Sequence, residues 1–224
     1  MNENINISRR SVVASLRSLM PDRALDYAEA KVIAEAQANR LLDLLELTSP
    51  PFDTDFIANL PRLDVKVVPS LPSSGMSHWS HGRWQIRING AEAPVRQRFT
   101  LAHEFKHLLD APFEEVIYRG LRKGERSPLV EAVCDHFAAC LLMPKKWVKR
   151  SFYGGLQDPA ELAWRFDVSP QAMSYRLTTL GILDPGPRCE GVRLVRQNRR
   201  PSIYFRTAPS RSRVEPVLVH AGAS

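Results

Sequence analysis

Residues 103–107 read His103-Glu104-Phe105-Lys106-His107, two histidines four apart with a glutamate beside the first. On a helix such a pair sits ~40° apart around the axis, so both rings project to one side. That is the spacing a single zinc ion needs, with the glutamate near the metal's water. Chance alone makes this pattern about once per hundred chains of this size, so its context has to carry weight. With His103 at 0° and a step of ~100° per residue, Leu101, Phe105, Leu108 and Leu109 fall at roughly 140–240°. A helix here can bury one face and line a cleft with the other.

A catalytic zinc takes three protein ligands and keeps a fourth position for water. Glu131 and Asp135 lie four apart, and Leu129, Val133, Phe137 and Cys140 fall on the opposite side of the same helix. Glu131 is the natural third ligand. Asp135 would stand behind it and accept the far ring N–H of a ligand histidine, fixing its tautomer. Cys134, His136 and Asp110 are rival ligands. Cys134 is rotated ~60° toward the apolar side and His136 ~140° away, which ranks both lower. The chemistry would be peptide hydrolysis, with Glu104 taking a proton from water and passing it to the leaving amine. Tyr118, Tyr153, Tyr175 and His136 are unranked candidates for the oxyanion donor. The ligand set suits Zn2+, and Mn2+ or Fe2+ could also occupy it.

These residues need elements to hold them. The spacing predicts helices over 22–47, 94–110, 128–143, 158–166 and 170–181, with Asp22 and Pro94 as start signals. A short helical turn is expected at 53–59. Residues 63–68, 75–79 and 82–89 read as strands. Trp84, Ile86 and Ile88 alternate with polar residues, and Ser80-His81-Gly82 forms the turn before them. Residues 1–21 read as a loose polar leader and 111–127 as a loop.

The 224 residues suit one domain with an appendage, and their composition is that of a folded globular chain. The net charge of +7 is uneven. Residues 186–224 hold eight arginines against two acids, a net +6, which leaves +1 for the rest. A chain basic throughout is therefore excluded, and the basic end can attract nucleic acid or acidic protein. Three cysteines do not make a disulfide framework and fit a reducing compartment. No apolar run approaches the ~18 residues of a membrane span. Arg17 interrupts the stretch after Arg9-Arg10 that faintly resembles an export signal. A cytoplasmic location without membrane attachment is expected.

The run RQRFTLAHEFKHLL, followed by EAVCDHFAACLLMP, resembles the ImmA/IrrE family of metallo-endopeptidases. FDVSPQAMSYRLTTLGIL is similar to that family's C-terminal helical pair, and the likeness covers roughly residues 25–183. Asp135 stands where the family has asparagine, and Cys134 where it has alanine. The resemblance implies an α+β zincin-like minimal metalloprotease domain, with a small twisted, mainly antiparallel sheet packed on the metal-binding helix. A helix-turn-helix-like pair and a basic C-terminal β-hairpin or tail would follow. The expected divisions are a leader at 1–21, the peptidase domain at 22–150, the helical pair at 151–185 and the tail at 186–224. The resemblance also implies a substrate: a helix-turn-helix repressor cleaved at one site, in a mobile element, stress response or toxin–antitoxin pair. The strand at 82–89 would hold the substrate by edge pairing.

A second reading is a regulator that binds DNA or a partner and uses the metal only structurally. Residues 159–183 fit a helix-turn-helix, with Gln171, Ser174, Tyr175 and Arg176 placed to face a major groove beside the basic tail. A packed helical pair with Met173, Leu177 and Leu180 as its core is the plainer account of the same residues.

Overall fold

The computed structural model describes residues 9–119 and 123–183. The basic hairpin expected beyond 186 lies outside the described residues. So do 1–8 of the expected leader and 120–122 of the expected loop.

The architecture is mixed α+β. Nine helices and three strands are described: α1 Arg9–Arg17, α2 Tyr27–Leu44, α3 Asp55–Ala58, β1 Leu63–Val68, β2 Gly75–Ser80 and β3 Arg83–Asn89 come first. Then follow α4 Pro94–Asp110, α5 Glu114–Ile117, α6 Lys123–Leu142, α7 Lys145–Tyr153, α8 Pro159–Phe166 and α9 Pro170–Thr179. None of these helices is long and apolar enough to cross a membrane.

The sheet runs in the order β1-β3-β2. β1 pairs with β3 in parallel, Leu63 opposite Trp84 through Val68 opposite Asn89. β2 pairs with β3 antiparallel, from Gly75 opposite Ile88 to Ser80 opposite Arg83. The sheet is thus mixed rather than mainly antiparallel. His81 and Gly82 close the β2–β3 hairpin with positive φ values of 51° and 74°, as a type I′ turn requires. The consequence for function is topological. β3 is paired on both sides and cannot offer an edge to a substrate, contrary to expectation. Among the described residues, β1 and β2 are the two edge strands of the sheet.

Helix starts follow local chemistry. α2 begins at Tyr27 rather than near Asp22, because Asp26 and Glu29 form a reciprocal capping box. Pro94, Pro159 and Pro170 each open a helix, where a missing N–H is harmless. α6 begins at Lys123, inside the expected loop, and carries Pro128 within it. The four-residue α5 also lies in that expected loop. α7, after Pro144, was not anticipated from sequence.

The expected loose leader contains α1, with Val12 and Leu16 buried in the core. Arg17 at its end donates from Nη2 to Leu108 O at 2.7 Å and from Nε to Leu109 O at 3.3 Å. A cation on the last carbonyls of α4 satisfies groups that have no partner within the helix and complements its dipole. The N-terminal helix thereby anchors the end of the helix that carries both histidines. Arg98, on the same helix, donates to Phe52 O and pairs with Asp167, tying α4 to the turn between α8 and α9.

α4 and α6 pack along their apolar sides. Leu101, Phe105, Leu108 and Leu109 meet Val133, Phe137 and Leu141 in one core, with the Phe105 and Phe137 rings 6.2 Å apart. These residues are buried as the ~100° steps predict, while Glu104, Lys106 and Asp110 of α4 are buried as well.

Candidate metal centre

α4 brings His103 and His107 to a half-buried cleft, and α6 brings Glu131 and Asp135 to the same place. His103 Nε2 lies 3.2 Å from His107 Nε2 and 3.4 Å from Glu131 Oε2. Glu131 Oε1 lies 3.6 Å from His107 Nε2. Ligand bonds of about 2.0–2.1 Å in a tetrahedral zinc site put neighbouring donors ~3.3 Å apart. The three side chains therefore have the spacing of one face of such a tetrahedron, and the donor set fits the metal.

Asp135 Oδ1 is 2.8 Å from His103 Nδ1. That contact orients the ring with Nε2 toward the donor cluster and leaves Nδ1 to carry the proton. Burial alone would lower the His103 pKa, but hydrogen bonds to Asp135 and Glu131 outweigh it and raise the pKa from 6.5 to about 9. A pocket that pulls a proton so firmly onto an imidazole attracts a divalent cation for the same reason.

A pH dependence follows for protein stripped of metal. His103 holds its proton more tightly in the folded chain than in the unfolded one. The stability this adds is fully present below about pH 6.5 and is lost as pH rises through about 9. Denaturant midpoints measured across that window should fall for the wild type. They should stay flatter for Asp135→Asn, which removes the main partner.

Glu104 is buried beside the cluster, and its Oε2 accepts a hydrogen bond of 2.6 Å from Ser77 Oγ. Sequence reasoning missed Ser77. The available signal was the small pair Gly75 and Ser77 on alternate positions of β2, which lets the strand lie close on a helix. Gly75 makes that contact necessary. A Cβ there would sit 2.4 Å from Thr100 Cγ2 and 3.2 Å from both Cγ and Oε1 of Glu104. Gly75→Ala should therefore push β2 off α4 and destabilise the fold by about 1–3 kcal/mol, read from denaturation midpoints. It should also displace the Glu104 carboxylate.

Two of the three rival ligands lie away from the cleft. Asp110 is buried one turn beyond His107 and bonds Lys106 and Tyr118, away from the cleft. His136 faces Glu35 and Cys140 on another side of α6. Cys134 does come within reach, with its Sγ no more than 4.8 Å from a nitrogen of each histidine. It is fully buried, and burial pushes its thiol pKa well up.

Two oxyanion candidates also drop out. Tyr118 is buried with its hydroxyl on Asp110, and His136 points away. Tyr153 stacks edge-on against Phe152 at the end of α7. Tyr175 stands near Tyr27, a residue that sequence reasoning did not single out. Burial first, then Tyr175 and the Asp135 carboxylate, raise the Tyr27 hydroxyl above its ordinary range.

The groove-facing set proposed for DNA is broken by Arg176. Its side chain is buried and donates from Nε to Met143 O at 3.0 Å. Met173 and Leu177 are buried on the same helix, with Leu180 packed against them, as in a packed helical pair.

Two helices that bring two histidines and two carboxylates together beside a small mixed sheet form a mixed α+β domain consistent with a zincin-like core. The chain belongs to the family of the IrrE N-terminal-like domain (Peptidase_M78), whose profile matches residues 62–178, just over half of its length. It is 32% identical over 157 residues to the "Radiation response metalloprotease IrrE" of Deinococcus radiodurans, covering 67% of this chain and 47% of that protein. It is 37% identical over 101 residues to the protein of the same description from Deinococcus deserti, covering 41% of this chain and 35% of that one. The chain thus spans less than half the length of either relative. A solved structure described as a Mycobacterium tuberculosis transcriptional regulator aligns with 75% of this chain and 51% of its own. The sequence identity there is 14% and the TM-score 0.49.

Proposed function

We propose that the chain is a zinc-dependent endopeptidase that cleaves a helix-turn-helix repressor at one site and so relieves repression. His103, His107 and Glu131 hold the metal, Asp135 orients His103, and Glu104 is the general base. The observation that carries this reading is the placement of Glu104. Its carboxylate lies beside the three-donor cluster, held by a serine from the edge strand β2. Zinc bound there supplies Lewis acidity and lowers the pKa of water.

The chain's own residues supply the rest. Ser77 donates to Glu104 Oε2 and restricts the carboxylate to one rotamer. Glu104 accepts the proton of the attacking water and returns it to the leaving amine. An extended repressor segment pairs along β2, which runs past Glu104, so backbone hydrogen bonds place the scissile peptide beside the base. The repressor as substrate class rests on the family likeness, and the protease chemistry on the relatives' description as metalloproteases.

A second reading draws on Cys134. If it joined His103, His107 and Glu131, four protein donors would close the site, as in structural zinc centres. A closed site has no use for Glu104.

The test uses the purified chain, zinc, and helix-turn-helix repressors expressed from the same genome. A single cleavage that a chelator stops and zinc restores is the expected result. An intact repressor with zinc stoichiometrically bound would favour the closed site.

A further inference from the structure

α6 carries metal-type donors on a second face. His136 and Cys140 lie ~140° and ~180° around the helix from Glu131, so they share one face pointing away from the cleft. Cys140 Sγ is 3.5 Å from His136 Nε2. Glu35 projects from α2, and its carboxylate completes a set whose donor atoms all lie within 4.8 Å of one another. Ligand bonds of about 2.3 Å to sulfur and 2.0–2.1 Å to nitrogen separate these atoms by ~3.5 Å in a tetrahedral site. The His136–Cys140 pair already stands at that distance.

A neighbouring group points to the same place. Arg176 is 4% exposed, and among the described residues its Nη2 is buried with no hydrogen-bond partner. The guanidinium interacts with the Cys140 sulfur and works against the upward push of burial on the thiol. A buried N–H without an acceptor is costly, and a thiolate at Cys140 would supply one. Lys31 and Arg176 stand near the His136 ring. Two nearby cations oppose a metal ion, but the carboxylate and a metal-induced thiolate offset them in charge.

We infer that Glu35, His136 and Cys140 form a second metal site, suited to zinc or a similar borderline-soft divalent cation. Arg176 donates to the ligand thiolate from behind. The ion would clamp α2 to α6 and so brace the helix that carries Glu131. The inference is independent of the peptidase reading, because it uses none of the residues in the cleft.

Cobalt(II) is the probe, since a thiolate ligand gives it a charge-transfer band in the near ultraviolet. The background is the full chain with His103→Ala, His107→Ala, Cys134→Ser and Cys189→Ser, which leaves Cys140 as the sole thiol. This protein should bind one equivalent of cobalt with the band present. Adding Cys140→Ser should abolish the band and weaken binding roughly tenfold or more. Glu35→Gln, a substitution at a half-buried position that spares the core, should keep the band and weaken binding. X-ray absorption of the zinc-loaded background should show one sulfur in the metal's shell. Failure of the folded background protein to bind cobalt would overturn the site. So would a band that survives Cys140→Ser, or a zinc shell without sulfur.

Discussion

Glu104→Gln is expected to lower the rate of repressor cleavage by about 10²–10⁴-fold, the usual contribution of a positioned general base. Zinc content should stay unchanged, because the donors are His103, His107 and Glu131. The substitution is nearly isosteric, and the amide oxygen can still accept from Ser77 Oγ, which now stands 2.6 Å from the carboxylate. The fold should therefore be retained, and circular dichroism with metal analysis would establish that. Cleavage rates at substrate concentrations far below saturation report loss of transition-state stabilisation directly. A variant that cleaves at the wild-type rate with full zinc would sink the assignment of Glu104. Ser77→Ala provides a graded companion, since it frees the carboxylate's rotamer without removing the base. Its rate should fall by less than that of Glu104→Gln, and a change in the pH profile would separate positioning from simple packing.

The convergence of the candidate site's side chains was readable from sequence because helical periodicity is a rigid ruler. Four-residue spacings put His103 with His107 and Glu131 with Asp135 whatever else the chain does, and apolar residues opposite them announced which face would be buried. The same ruler placed His136 off the cleft. What could not be read depends on contacts between elements distant in sequence. Ser77 reaches Glu104 across 27 residues, through a strand approach that Gly75 alone permits. Strand order was equally hidden, since hydrophobic alternation in β3 reads the same for an edge strand as for a central one. α1 looked like a polar leader because its function is partly polar: its last residue, Arg17, serves carbonyls at the end of α4. Arg176 looked like a groove reader because a single exposed-type residue on a helix does not declare its burial. Its acceptor is a carbonyl 33 residues away.

Asp110→Ala is expected to destabilise the protein by about 3–5 kcal/mol, because it strands a buried lysine charge. Lys106 sits within the His-Glu-Phe-Lys-His run but is buried, at 1% exposure, against Asp110 at 2%. Lys106 Nζ also donates to Gln37 Oε1 at 2.7 Å, and Tyr118 donates to Asp110 Oδ2 at 3.2 Å. The network thus joins α2, α4 and the end of α5. Burial pushes the Asp110 carboxyl above its ordinary range even though Lys106, Tyr118 and Arg17 all pull it down. Desolvation therefore outweighs the attraction, and the intact pair contributes little net stability. The prediction is asymmetric for that reason. Removing one partner costs heavily, while Lys106→Met with Asp110→Leu, Tyr118→Phe and Gln37→Leu should recover most of the loss, since no buried charge, hydroxyl or amide of the network is then left unpaired. Urea midpoints of the single and quadruple variants measure the difference. A second readout links the network to the metal. Asp110 is one turn from His107 and at the end of α4 that Arg17 secures, so the single variant should loosen His107 and weaken zinc binding. The quadruple variant, with the helix end repacked, should bind zinc as the wild type does. Equal zinc affinity in all three proteins would mean that the network stabilises the fold without positioning His107.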